Sequence, residues 1–252
     1  TCPKPAAMDW VTNCCKNWGT AIVEPLPSLV PLVMQQGHWL TTLSGLSLPV
    51  ALTVAQGTGK VIARLEGSML CTHFGISGPV VLDVSRHWVA AHVHDREVTL
   101  RCALLPHVNF EQLENQLIHL TARNPQRTLV NVLREWLPSR LAEALPRHEL
   151  GLQPSLVMGQ LPRDARRKLV HSLTDLVLPV ERDRGWLFAE VTAGGVPLSE
   201  VDWRTMQSKV QPGLYLCGEV LDVDGRMGGY NFQWAWCSGR LAGLAAVKRD
   251  HG

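Results

Sequence analysis

Gly218, Glu219, Gly228, Gly229, Tyr230, Asn231 and Gln233 lie close together near the end of the chain, in the run CGEVLDVDGRMGGYNFQW. Glycines let backbone N–H groups approach a ligand without a Cβ in the way. A helix that starts just behind such a bend offers the positive end of its dipole to an anion. The chemistry that suits this pattern is the holding of an anionic cofactor, with Glu219 at the carboxyl end of a short strand as acceptor for a cofactor hydroxyl. Thr192, Gly194 and Gly195, in TAGGV, form a second glycine-bearing stretch. It reads either as a flexible loop along which a planar ring lies or as a plain hairpin turn. His73, set beside glycines and Ser77 in THFGISGP, is the candidate proton donor. Ser77 is in no GxSxG elbow, so a serine hydrolase is disfavoured. No metal is expected, because the seven cysteines fall in no CxxC pair or zinc-like spacing.

The elements that must position these groups follow from pattern. Residues 214–217 are a short apolar run that reads as a buried parallel strand leading into Glu219. Residues 230–244 carry Ala235, Ser238, Gly239, Ala242 and Gly243 at helical spacing, which suits a helix packed tightly on a sheet. Residues 6–18 read as a short helix and residues 20–24 as a strand. The prolines of residues 25–31 are unsuited to a central strand and mark a passage into another unit. Residues 32–105 are β-rich, with apolar runs broken by glycine, and Gly75, Gly78 and Pro79 serve a bend between strands. In residues 110–178, Leu113, Leu117 and Leu120, then Leu129, Val132, Leu133 and Trp136, recur at helical spacing between prolines. A basic run, Arg163, Arg166, Arg167 and Lys168, opens a helix after Pro162. It reads as a solvated face, since no aromatic residue is interleaved with it.

The chain has 252 residues, 46% of them hydrophobic, enough for a substantial core. With 24 basic and 22 acidic side chains its formal charge is +2. That balance gives no reason to expect nucleic acid or membrane as a partner. No segment reaches the length of a membrane span and the first residues resemble no signal peptide, so a cytoplasmic setting is expected. Thr1 is no initiator methionine, which suggests that the chain begins inside a longer reading frame.

Three blocks carry a family resemblance: PSLVPL, THFGISGPVVLDVSR, and the long run from FAEVTAGGVPL through GEVLDVDGRMGGYNFQWAWCSGRLAG. On them the sequence resembles the BaiN-like, or aminoacetone-oxidase-like, FAD-dependent oxidoreductases. The resemblance implies an α/β flavoprotein of two-dinucleotide-binding type in which an α+β insert, residues 32–180, interrupts the FAD domain and caps the flavin. Residues 1–31 would be a remnant of that domain and residues 181–252 its return. It further implies FAD as cofactor, NAD(P)H as electron donor and a small organic molecule as substrate. Glu219 would lie near the ribityl chain, the backbone of residues 228–233 against the flavin, residues 192–195 along its ring, and His73 toward the cleft. Two departures accompany it. No GxGxxG turn is present, Gly57 and Gly59 lacking the spacing, so the ADP half of FAD has no cradle. Arg226 and Met227 stand where the family has proline or isoleucine followed by threonine. The expectation is an N-terminally incomplete member, with apolar surface on the last helix left for a missing segment or a partner to cover; the alternative is an accessory chain that binds no FAD alone.

Overall fold

The computed structural model describes residues 13, 14 and 16–249, so the expected first helix lies largely outside the described residues. The chain divides into two compact units, one built from residues up to Pro31 together with those from Asp183 onward, the other from Leu32–Arg182.

In the first unit, β1 (Val23–Ser28) contains Pro25 and Pro27 and yet pairs as a strand. Residues 25–28 therefore extend a strand that the prolines were expected to end. The reason is that its two-stranded sheet asks for bonds on one side only, so proline's missing N–H costs no ladder bond.

The second unit begins with β2 (Leu32–Met34), β3 (Ser47–Ala55), β4 (Val61–Thr72) and β5 (Gly75–Ser77). A helix, α1 (Pro79–His94), follows where a β-rich stretch was expected. Its valines suggest a strand, but Val80, Val81, Val84 and Trp88 are buried, and packing overrides their helix propensity. Gly78, at φ 95°, lies where a Cβ would come 2.9 Å from Ser68 O and Leu70 N. It starts the helix rather than bending one strand into the next. Next come β6 (Thr99–Ala103), α2 (Phe110–Arg123), α3 (Leu129–Leu133), α4 (Ser139–Leu150), α5 (Arg163–Thr174), β7 (Leu176–Leu178) and β8 (Val180–Asp183). The strands form a seven-stranded sheet in the order β7-β6-β3-β4-β5-β2-β8. The pairs from β7 through β2 are antiparallel.

Local sequence explains these elements. The Asn109 side chain accepts from Gln112 N–H and the Gln112 side chain accepts from Asn109 N–H, a reciprocal cap that opens α2. Gly151, at φ 68°, closes α4. Pro49 is tolerated in the central strand β3 because β6 pairs with β3 only from Ala51 onward. Leu113, Leu117, Leu129, Leu133, Leu141 and Leu169 are all fully buried, so the leucine spacing read from sequence is the helical core.

The first unit resumes with β9 (Val191–Gly195), antiparallel to β1, then β10 (Val201–Asp202) and β11 (Gln207–Ser208), and ends with α6 (Tyr230–Arg249). Val196, Val201, Met206, Leu216, Leu221 and Ala242 make its core. Residues 214–217 form no buried parallel strand. Tyr215 makes one antiparallel bridge with Gln207, and Glu219 sits in the single 3-10 turn Gly218–Val220. Among the described residues no strand lies alongside to complete a parallel ladder. Nor does α6 pack on a broad sheet: Phe232 and Trp236 are each 69% exposed. No helix among the described residues is long and apolar enough to cross a membrane.

Candidate cofactor pocket

A cavity of about 570 Å³ opens within the first unit. That volume lies in the range of small-molecule sites. Its walls come from three places: the end of β1, the start of β9, and the loop that runs from Glu219 into α6. Leu29, Val223, Trp234 and Ala235 give it an apolar surface, while Glu219, Gly228, Gly229 and Asn231 bring polar groups to it. Leu29 is buried with φ at 48°, the left-handed region that a branched side chain rarely occupies. Such an outlier at a cavity wall is held in place by its surroundings and marks a constrained site.

The loop before α6 is shaped by its own side chains. Asn231 accepts from Gly225 N–H at 2.7 Å and donates to Gly225 O at 3.0 Å, folding the loop back on the helix. Arg226 donates to the Tyr230 hydroxyl at 2.8 Å and lies over the same ring. Gly228 and Gly229 have φ of 117° and 86°. A Cβ at Gly229 would meet nothing within 4 Å, so glycine is required there by backbone conformation alone. The first turn of α6 follows, and its N–H groups precede any intrahelical acceptor.

On the other side of the cavity, α6 clamps the Gly218 turn. Gly218 N–H donates to Ser238 Oγ at 2.9 Å, Ser238 Oγ donates to Trp234 O at 2.6 Å, and Trp234 Nε1 donates to Gly218 O at 3.1 Å. Both polar groups of Gly218 are thus consumed inside the protein. Glu219 accepts from Thr192 N–H, which ties the turn to β9.

Of the residues singled out from sequence, Glu219, Gly228, Gly229 and Asn231 line one cavity. Tyr230 and Gln233 sit on the first turn of α6; the Gln233 side chain donates to Cys237 Sγ. Thr192, Gly194 and Gly195 belong to β9 and form neither a loop nor a hairpin turn. A Cβ would lie 2.5 Å from Glu24 O at Gly194 and 2.4 Å from Val220 O at Gly195, so the space these glycines leave is filled by the protein's own backbone. His73 belongs to the other unit, exposed on the turn between β4 and β5, with its ring edge-on to Phe74 at 5.1 Å. Trp236 points away to solvent. Leu29 and Val223 went unread as lining residues because an apolar wall has no signature in a single sequence. Among the described residues, no three His, Cys, Asp or Glu side chains gather as metal ligands do.

Residues 26–191 match the HI0933-like protein barrel and H2TH domain. The chain is 35% identical to a ribosomal RNA dihydrouridine synthase of Escherichia coli over 88% of its own length and 52% of that protein's. It is 34% identical to a ribosomal RNA dihydrouridine synthase of Haemophilus influenzae, over 93% of the chain and 55% of the relative. A 3-dehydro-bile acid delta(4,6)-reductase of Clostridium scindens is 32% identical over 93% of the chain and 56% of that relative. The chain therefore spans about half the length of the curated relatives it matches.

Proposed function

The chain belongs to the HI0933-like family, and from that membership and the chemistry of the cavity we propose that it is the cavity-bearing part of a flavin-dependent reductase of ring C=C bonds conjugated to a carbonyl. The relatives' names share this chemistry. Dihydrouridine differs from uridine by two hydrogens across a ring bond conjugated to a carbonyl, and the delta(4,6) bonds of a 3-dehydro bile acid are conjugated to its ketone. A C=C bond conjugated to a carbonyl is open to hydride addition at the carbon remote from the carbonyl, with a proton completing the saturation, and this is the reaction class proposed for the chain.

The observation that carries the reading is the cavity of about 570 Å³ bounded by an apolar wall and by Gly228 and Gly229 at the head of α6. FAD, recharged by NAD(P)H, supplies two-electron hydride chemistry when bound. The donor set suits that group. N–H groups of the first turn of α6 favour negative charge on a phosphate or on a reduced ring, Leu29, Val223, Trp234 and Ala235 exclude water, and the Glu219 carboxylate accepts from a hydroxyl at the rim. The two synthase names support a uracil in RNA as the substrate ring. The reductase name favours a small organic substrate as the second reading. If the chain holds no flavin, the exposed Phe232 and Trp236 favour an accessory role instead.

Equilibrium dialysis of the purified chain against FAD separates these. The expected result is a yellow protein that retains flavin, and a Val223→Trp variant, which fills the cavity while keeping its circular dichroism melt, loses it. A parent chain that stays colourless in excess FAD overturns the reductase reading for this chain and leaves the accessory one.

A further inference from the structure

We infer that the exposed face of α5, backed by Phe110 at the start of α2, is a docking surface for an RNA strand. The occupant rests on the reading that the substrate ring is a uracil in RNA; the place rests on the geometry that follows. In α5, Leu169, Val170, Ser172 and Leu173 are buried, which turns Arg163, Arg167, Lys168 and His171 to solvent. Arg163, Arg167 and His171 recur every four residues and so form a column with steps of about 6 Å. Asp164 is the one acidic residue of the helix. Among the described residues, Arg163 and Lys168 enter no ion pair, so their charge is left for a partner. Arg166 is different: it reaches Glu114 of α2 at 3.8 Å and holds the two helices together.

A basic run on a helix is ordinarily a solvated face, and the sequence shows no aromatic residue within this one. The fold supplies it from elsewhere. The Phe110 ring lies 4.6 Å from the ring of His171 and 5.8 Å beneath the Arg167 guanidinium. Planar guanidinium, imidazole and phenyl groups gathered beside unpaired cations are the combination that holds a single strand, cations meeting phosphates and flat groups meeting bases. Net charge cannot reveal such a strip, because it averages the strip with the acidic residues of the remaining surface.

The test is fluorescence anisotropy of the full chain with a labelled oligouridylate across a salt series, comparing the parent with R163Q/R167Q/K168Q. All three positions are exposed, so an unchanged melt is the control for folding. The expected result is a loss of affinity of at least tenfold and a salt slope reduced by about 2, at roughly 0.7 per phosphate contact. An unchanged affinity and slope, a parent chain that binds no oligouridylate at low salt, or a loss that appears for anionic lipid vesicles but not for RNA each overturns the inference. The readout needs no flavin. A chain that binds RNA through this face but takes up no FAD keeps the surface and loses the reductase reading, and the converse result does the reverse.

Discussion

In the Leu32–Arg182 unit the core leucines of α2 through α5 are sealed inside: Leu117, Leu133, Leu141 and Leu173 have no exposed surface. In the unit that holds the cavity, α6 buries Ser238 and Ala242 on one side and turns Phe232, Trp236, Leu244 and Val247 to solvent on the other. A helix that keeps large apolar side chains on its exposed face offers that face as a contact surface. The difference teaches that the two units solve burial differently. One closes its helices around its own core, while the other also presents an apolar face, and faces of that kind mark contact sites.

The sharpest break in this contrast is at Gly195. Its φ of 122° and the 2.4 Å approach of a Cβ to Val220 O mean that Gly195→Ala forces apart β9 and the turn that carries Glu219. We expect a loss on the order of 3 kcal/mol or more in denaturant unfolding. Gly229→Ala, with open space around it, meets only the backbone penalty and loses about 1 kcal/mol. Equal losses at the two positions would mean that the tight approach is not what fixes the cavity's edge.

A smaller effect belongs to the sealed unit. His38 caps the turn Trp39–Leu43 by accepting from Leu40 N–H. Burial lowers its pKa, the neighbouring Glu149 carboxylate opposes that shift, and His148 adds to it. A histidine whose folded pKa is depressed contributes stability that is present above its unfolded value and lost as pH falls through the folded one. Protonation also removes the lone pair that accepts from Leu40. The unfolding midpoint of the parent should therefore decline as pH drops below 6.5, and His38→Asn, which caps without titrating, should flatten that decline. A variant with the parent's full acid sensitivity would place the titrating group elsewhere.

The smallest change in stability is expected where the exposed face itself is altered. Phe232→Ser with Trp236→Ser should move the unfolding free energy by no more than about 0.5 kcal/mol, because both side chains are mostly exposed. The same variant should lose binding of a hydrophobic dye. A large destabilisation would show that the two aromatics are packed in solution and would erase the contrast between the units.

Legibility in the sequence followed the same divide. The helices of the Leu32–Arg182 unit announce themselves through leucines at helical spacing, since burial on one face imposes a period that one sequence displays. The hairpin of β3 and β4 does so through alternation on either side of Gly57 and Gly59. What failed was local type where packing prevails over propensity: the valines of α1 read as strand, and the glycines of β9 read as loop although the backbone of residues 24 and 220 needs their space. At the candidate pocket, polar and glycine positions were legible by type. The apolar wall of Leu29 and Val223 and the pairing of Arg167 with Phe110 depend on residues far apart in the chain, which only the folded structure brings together.

The bonds among Gly218, Trp234 and Ser238 fasten the turn to one side of α6, leaving Phe232 and Trp236 on the opposite side. Phe232 nevertheless also borders the cavity, so this helix presents one aromatic ring both to the outside and to the cavity's mouth, and a molecule settling on the outer face would meet the rim of the pocket directly.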